Sequence, residues 1–308
     1  MQAWIYPGSP AHNADEEYRD GRKIHVLKPE YYTVNQYGNL MRLTVSNAGE
    51  NAYSAANAAN VKAYSQEQYV TVSANQAAMS ALVRSSTKRT SAKNTLVSFV
   101  RTIGFTGVEL DWEGYGEWTA TDYTNYKTFV KLLGNALHMY GKKLIVDGPP
   151  IGNTTEQSYY RWRYEDFEFL PVNQVVVMAY DANSDDGAGT PVSPAWWMRD
   201  IAQWVLARIS NPDRIAIGIP AYGYHGPTGG WNITIDTKAQ SALFPRYTAA
   251  TRDPESYEMR WTYNGISYFF QDTTSLNFKR QLLEDEGIRH VSVWHLGGNA
   301  WFTGTEPN

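Results

Sequence analysis

The stretch Gly104-Phe-Thr-Gly-Val-Glu-Leu-Asp-Trp-Glu-Gly-Tyr115 alternates between apolar and acidic side chains over its second half. Such alternation predicts a β-strand, and its acidic positions, which are Glu109, Asp111 and Glu113, then share one face. Neighbours on one face of a strand lie about 6.6 Å apart, so each carboxylate opposes ionisation of the next. Asp111 and Glu113 are therefore candidates for paired acid and base chemistry. The alternative is an edge strand whose acids face water.

Seven further segments combine β-branched or aromatic residues with flanking Gly, Pro or Asn, which predicts short strands. They are residues 3–6, 25–32, 69–73, 143–147, 174–181, 214–220 and 290–294. Helices are predicted between them. Ser91 is expected to cap one that ends at Gly104, and Asp122 to cap one that ends at Gly141. Other helical patterns cover residues 47–62, 193–211 and 276–286.

Eight strands that alternate with helices predict a parallel sheet, and their number favours a closed (β/α)8 TIM barrel of the α/β class. We expect one catalytic domain over residues 1–308, with a short excursion between strands seven and eight at about 225–272. The inner face of every barrel strand is buried, so the acidic column would face the interior. Active sites of such barrels lie at the carboxyl ends of the strands. The polar and aromatic residues predicted there are Glu113, Asp147, Tyr180, Asp181, Tyr222 and Trp294.

Composition excludes several classes of function. The net charge of −4, without a long basic run, gives no electrostatic footprint for nucleic acid or acidic lipid. No run approaches the ~18 apolar residues of a membrane span. The absence of cysteine excludes disulfides, zinc–thiolate sites and cysteine nucleophiles, and the six histidines show no paired spacing. We therefore expect neither a metal site nor a cofactor.

Four motifs in order resemble the family-18 glycoside hydrolases, the chitinase family. Thr106-Gly-Val-Glu-Leu-Asp-Trp-Glu113 resembles the catalytic strand of that family, in which Asp-Gly-x-Asp-x-Asp-x-Glu ends in the catalytic acid. Met178-Ala-Tyr-Asp181 resembles its strand-six motif, Gly218-Ile-Pro-Ala-Tyr-Gly223 its strand-seven motif, and Trp294 its strand-eight tryptophan. The stretch from Asp181 to Pro194, with the short excursion, is closer to bacterial spore-cortex and cell-wall members than to large-cleft chitinases.

The resemblance implies a retaining mechanism in which Glu113 protonates the glycosidic oxygen. The 2-acetamido carbonyl of the substrate then acts as the nucleophile and forms an oxazolinium ion; substrate assistance is known for this family. Asp111 would orient the acetamide, and the Tyr180 hydroxyl would hold its oxygen. Thr106 and Glu109 stand where the family usually has aspartates. We expect Thr106 to remove the deepest acid of the column and Glu109 to remain as a supporting acid.

Further residues are candidates for substrate binding. Trp294 is expected to form the floor of a sugar subsite, although a large aromatic residue also suits a barrel core. Asp181 could instead cap a helix. The remaining candidates are favoured by position alone, and they are Met178, Asp147, Tyr222 and Tyr6.

The sequence therefore predicts a glycosidase that cleaves β-1,4-linked N-acetylglucosamine glycans in chitin or peptidoglycan. A glycan-binding, lectin-like barrel that has lost catalysis is the alternative, and an unrelated barrel enzyme whose acids bind a metal is a third hypothesis. The expected partner is an N-acetylglucosamine-containing polysaccharide. Such a substrate favours action outside the cell or on the cell wall, which would require a signal peptide beyond these residues. The pattern leaves the oligomeric state open.

Overall fold

A closed barrel of eight parallel strands forms the centre of the protein. The computed structural model describes residues 1–8, 24–182, 186–236, 249–297 and 302. The barrel strands are β1 (Gln2–Ile5), β2 (Ile24–Val34), β4 (Ser65–Ala74), β5 (Gly107–Trp112), β6 (Lys143–Gly148), β7 (Gln174–Met178), β8 (Ile215–Pro220) and β14 (His290–Trp294). Strand β1 pairs in parallel with both β2 and β14, which closes the sheet. The predicted (β/α)8 barrel is confirmed.

A small antiparallel sheet lies between strands β8 and β14 in the chain. It contains β9 (Gly223–Pro227), β10 (Thr234–Asp236), β11 (Thr251–Arg252), β12 (Met259–Tyr263) and β13 (Ile266–Phe270), in the order β10-β9-β13-β12-β11. Asn264 and Gly265 join β12 to β13, and both have positive φ angles, 47° and 74°. That geometry matches a two-residue hairpin turn of the Asn-Gly kind. The predicted excursion is thus largely this sheet, although residues 237–248 lie outside the described part.

The described residues include eight α-helices and a short edge strand, β3 (Leu40–Arg42), which is antiparallel to β2. The helices are α1 (Val45–Ala48), α2 (Ala55–Tyr64), α3 (Gln76–Val83), α4 (Ser86–Ile103), α5 (Ala120–His138), α6 (Thr154–Tyr159), α7 (Ala195–Leu206) and α8 (Thr273–Asp285). Helices α3 and α6 were not predicted. The helix expected over residues 47–62 is divided in two at Gly49, where φ is 122°.

Both predicted helix caps were wrong, because the helices begin earlier than the apolar periodicity suggests. Ser85, not Ser91, caps α4 and accepts a hydrogen bond from the Lys88 amide. Thr119 caps α5, and Asp122 is the third helical residue, whose carboxylate accepts from the Thr119 amide as in a capping box. The predicted stop at Gly104 is confirmed, since this residue ends α4 with φ at 77°.

An apolar cluster fills the part of the barrel that lies below the acidic column. Its buried members are Trp4, Val26, Tyr69, Ile145, Val176 and Ala216. Val26 and Tyr69 each lie two residues before a polar inward-facing residue, Lys28 and Thr71 respectively. Because inward side chains repeat every second residue, the polar residues form the next layer towards the carboxyl ends. The apolar cluster thus lies directly beneath the polar layer that contains Lys28 and Thr71.

Candidate active site

The three acids of β5 lie at different depths. Glu109 is fully buried, Asp111 is half-buried, and Glu113, one residue beyond the strand, is exposed at the mouth of the barrel. The Glu113 amide donates to the Ala74 carbonyl at 2.8 Å. The chain then turns at Gly114, where φ is 80° and an added Cβ would lie 2.8 Å from Gln76 Cβ. Glycine at this turn therefore lets Glu113 stand at the barrel rim.

Thr106 does not belong to this column, contrary to our expectation. It precedes β5, and its Oγ1 accepts a hydrogen bond from the Gln68 amide at 3.1 Å. Its position differs in parity from Glu109 and Asp111, so a side chain at residue 106 belongs to the other face of the strand. The substitution of Thr106 for the family's aspartate therefore removes no inward-facing acid.

Glu109 forms a buried ion pair with Lys28 of β2. The Lys28 Nζ lies 2.5 Å from Glu109 Oε1, and both side chains are 0% exposed. Glu109 Oε2 accepts from Trp4 Nε1 at 2.9 Å and from Thr71 Oγ1 at 2.5 Å. The ammonium also lies 3.4 Å from the centroid of the Trp4 ring. Both carboxylate oxygens thus have donors, and loss of either charged partner alone would cost about 3–5 kcal/mol.

Asp147 lies in the same buried layer and does not line the cavity described below. It is 1% exposed, on β6. Burial, followed by the neighbouring Glu109 carboxylate, raises its pKa well above the usual value. A carboxyl group with a raised pKa keeps its proton to higher pH than a free aspartate does.

Glu30, on β2, is a further acid in the site that the sequence analysis missed. Its Oε1 accepts a hydrogen bond from Ser73 Oγ at 2.5 Å. Burial raises its pKa, the Ser73 bond opposes that shift, and Glu113 adds to it. Asp111 faces the same group of acids: burial, then Glu113, Glu30 and Glu109, raise its pKa, whereas Lys28 lowers it.

Asp181 and Tyr222 also belong to the site, and a hydrogen bond joins them. Asp181 follows β7 and has a positive φ of 70°. The Tyr222 hydroxyl donates to Asp181 Oδ1. Burial raises the pKa of Asp181, and hydrogen bonds from Tyr222 and Tyr224 oppose the shift. Partial burial and the nearby Asp181 raise the pKa of Glu113 in turn.

Aromatic rings complete the walls of one cavity of about 430 Å³. The Trp294 ring centroid lies 5.0 Å from that of Tyr222 and 6.0 Å from that of Tyr6. Nearly all the sequence-predicted residues meet here, since the lining includes Tyr6, Asp111, Glu113, Met178, Tyr180, Asp181, Tyr222 and Trp294. The residues that were missed are Trp4, Glu30, Thr33, Val34, Ser73, Ala74, Asn75, Tyr224 and Ile235.

One signal for the missed residues was present in the sequence. Lys28 and Glu30 interrupt a predicted buried strand at same-face positions, where an unpaired charge is costly. Each of these residues therefore required a polar partner in the barrel. The partners are Glu109 for Lys28 and Ser73 for Glu30, and they are identified only by the pairing of β2 with β4 and of β4 with β5.

Among the residues that the structure describes, no group of three or more His, Asp or Glu is arranged to hold a metal ion. Within the same ranges, no helix combines the length and apolar character that crossing a bilayer requires.

Comparisons with known proteins agree with the barrel fold. A solved chitinase from Chromobacterium violaceum superposes with a TM-score of 0.78 at 20% identity, over 97% of this chain and 94% of that one. The spore cortex-lytic enzyme SleL of Bacillus cereus superposes with a TM-score of 0.78 at 18% identity, over 96% and 70%. At such low identity, these superpositions show a shared fold.

Sequence comparison identifies relatives that are longer than this chain. The cortical fragment-lytic enzyme of Bacillus subtilis is 23% identical over 224 residues, which are 66% of this chain and 49% of that protein. The chain spans about half the length of the curated relatives it matches. The model of glycosyl hydrolases family 18 matches residues 35–299, which is most of the chain. The chain therefore belongs to glycosyl hydrolases family 18.

Proposed function

We propose that this protein is a retaining glycosidase that cleaves β-1,4-linked N-acetylglucosamine glycans by substrate-assisted catalysis. The observation that carries the proposal is the position of Glu113, at the rim of a cavity that also contains Asp111, Tyr180 and Trp294. A cavity of about 430 Å³ has a volume typical of small-ligand sites. It therefore suits one sugar ring bound beneath the acid.

Glu113 is the proposed general acid. Partial burial and the charge of Asp181 raise its pKa, so the carboxyl group keeps its proton to higher pH than a free glutamate. It donates that proton to the glycosidic oxygen as the bond from this oxygen to C1 breaks. In the second step Glu113 accepts a proton from the water that attacks C1.

Asp111 and Tyr180 are proposed to hold the acetamide of the bound sugar. Asp111 Oδ1 is buried and has no hydrogen-bond partner among the described residues, so it can accept the acetamide N–H. Burial raises the pKa of Tyr180 well above its usual value, so its hydroxyl stays protonated and can donate to the acetamide oxygen. The acetamide oxygen then bonds to C1, and water attacks the resulting oxazolinium ion on the face that the leaving group left. The configuration at C1 is retained.

A glycan-binding barrel without catalysis is the second candidate, favoured by the buried ion pair that holds Glu109 against Lys28. A chromogenic N-acetylglucosamine oligomer, assayed with and without a chelator, separates the candidates. We expect hydrolysis that is insensitive to the chelator and that is inhibited by a thiazoline mimic of the cyclic intermediate. Turnover of the matching glucoside, which lacks the acetamide, at an equal rate would contradict substrate assistance.

The polymer is proposed to be chitin or the glycan of peptidoglycan, and the names of the relatives include both chitinases and cortex-lytic enzymes. Mass analysis of products from chitin oligomers, beside those from purified peptidoglycan, distinguishes the two. Cleavage of neither polymer, together with measurable binding, would favour the glycan-binding alternative.

A further inference from the structure

We propose that Glu30 sets the protonation state of Asp111 and thereby positions the acid limb of the pH–rate profile. This inference rests on the proposed function for its kinetic consequence, but not for its electrostatic one. Glu30 lies outside the four motifs that carry the family resemblance. Its role is that of a positioning residue, because it acts on the substrate through Asp111.

The geometry brings Glu30 to Asp111 through β4. Ser73 of β4 is the register partner of Asp111 on β5, and the Ser73 hydroxyl donates to Glu30 Oε1. Glu30, Ser73 and Asp111 all line the same cavity. The hydrogen bond holds one oxygen of Glu30 against the strand next to Asp111, so the carboxyl group has a fixed place in the cavity wall.

Glu109 precedes Asp111 by two residues on the same face, but its negative charge is offset by a cation in direct contact. Its partner Lys28 lies 2.5 Å away. The two charges act on Asp111 with opposite sign, since Glu109 raises its pKa and Lys28 lowers it. A closely paired cation and anion have a weak combined field at a third group.

Among the acids that raise the pKa of Asp111, Glu113 comes first, followed by Glu30 and Glu109. Burial raises the pKa of Asp147 on β6, so this carboxyl group keeps its proton to higher pH than a free aspartate. Glu113 must carry its proton when it acts as the general acid, so it is uncharged in the reactive form. Tyr180 stays protonated. Among the described residues that line the cavity, none is basic, so no cation within the cavity lining offsets the charge of Glu30.

The sign of the effect follows. A negative charge on Glu30 raises the free energy of ionised Asp111, so Asp111 keeps its proton to higher pH. Removal of that charge should lower the titration midpoint of Asp111. If turnover requires ionised Asp111 to stabilise the cationic oxazolinium, the acid limb moves to lower pH with it.

The test is Glu30→Gln, in which the amide oxygen still accepts the Ser73 hydrogen bond. The midpoint of Asp111 is measured by NMR on protein labelled with carbon-13 at the aspartate carboxyl groups, and Asp111→Asn identifies its signal. We expect a fall of about one pH unit, the usual size of the effect of one nearby charge in a partly buried site. Glu30→Asp keeps the charge and should keep the midpoint close to that of the unmodified protein.

Glu67→Gln is the matched control. Glu67 is a carboxylate on β4, the strand next to β2; its side chain pairs with Lys143 at 2.6 Å and does not line the cavity. The midpoint of Asp111 should not change in this variant. If Glu30→Gln fails to fold, Ser73→Ala replaces it. Loss of the bond that lowers the pKa of Glu30 leaves Glu30 protonated to higher pH, and Asp111 again ionises earlier.

An Asp111 midpoint that is the same in folded Glu30→Gln and in the unmodified protein would overturn the inference. The titration needs no substrate, so it decides the role of Glu30 even if no glycan is hydrolysed. Conversely, hydrolysis with an unmoved midpoint would refute the inference and leave the proposed function intact. Where activity is present, the acid limb of kcat/KM should move by the same amount as the midpoint.

Discussion

At the scale of single residues, the proposed chemistry depends most on Glu113. We predict that Glu113→Gln abolishes hydrolysis and leaves glycan affinity largely unchanged, because the amide keeps the shape of the side chain and cannot donate the required proton. A positioned acid contributes about two to four decades of rate. Initial rates on an N-acetylglucosamine oligomer, with Kd from calorimetry, measure both effects. Retention of more than about a tenth of the activity would remove Glu113 from its proposed role.

The candidate acids could be predicted from the sequence, whereas their surroundings could not. Glu109, Asp111 and Glu113 lie on one strand, and strand periodicity alone places them on one face. The partners of Glu109 come from β1, β2 and β4, so they depend on the register between strands. Lys28 is the clearest example: its charge in a buried strand indicates that a partner exists, and only the folded barrel shows that the partner is Glu109.

At the scale of one element, the amino end of α5 depends on Asp122. Burial alone would raise the pKa of this carboxyl, but hydrogen bonds from Arg84, Thr119 and Ser80 lower it to about 2. The folded pKa thus lies below the ordinary value of 3.8. The resulting stability is fully present above about pH 4 and is lost as the pH falls towards 2. It amounts to about 2 kcal/mol.

We predict that Asp122→Asn lowers the free energy of unfolding by about 2 kcal/mol at pH 7, with a difference that shrinks towards pH 2. Urea unfolding at several pH values measures it. Asp213→Asn is the control, because Asp213 pairs with Arg289 at the surface, where both side chains are more than half exposed. Such pairs contribute about 0–1 kcal/mol. A loss at Asp122 that does not vary with pH would show that the hydrogen bonds act independently of charge.

The elements themselves were predicted with uneven success, for physical reasons. Buried parallel strands such as β7 are continuous apolar runs, which are visible in the sequence. Helix starts were wrong because apolar periodicity begins only after the capping turn, as at Ser85 and Thr119. The antiparallel sheet was treated as an excursion, although Asn264-Gly265 is a strong hairpin signal. Its strands are short and partly exposed, so their alternation is weak.

At the scale of the whole molecule, a second hollow lies on the same face of the barrel as the cavity. Its lining includes Gly116, Pro150 and Ala182, which follow β5, β6 and β7 respectively. The exposed aromatic residues in it are Trp196, with 52% of its surface exposed, and Tyr159, with 64%. Ala182 directly follows Asp181, and Gly116 lies three residues after Glu113, so the hollow is lined by the same loops as the site. We propose that it holds the part of the glycan beyond the bond that is cut.

Trp196→Ala tests whether the enzyme acts on a chain that extends into this hollow. Loss of one stacking ring should lower kcat/KM on long chitin oligomers by about tenfold, the equivalent of ~1.4 kcal/mol. A short chromogenic substrate, which reaches only the cavity, should be cut at an unchanged rate. Phe169→Ala is the matched control, since Phe169 is 92% exposed and precedes β7, at the opposite end of the barrel. Equal losses on long and short substrates would place Trp196 in the folding of the catalytic loops rather than in the binding of the polymer.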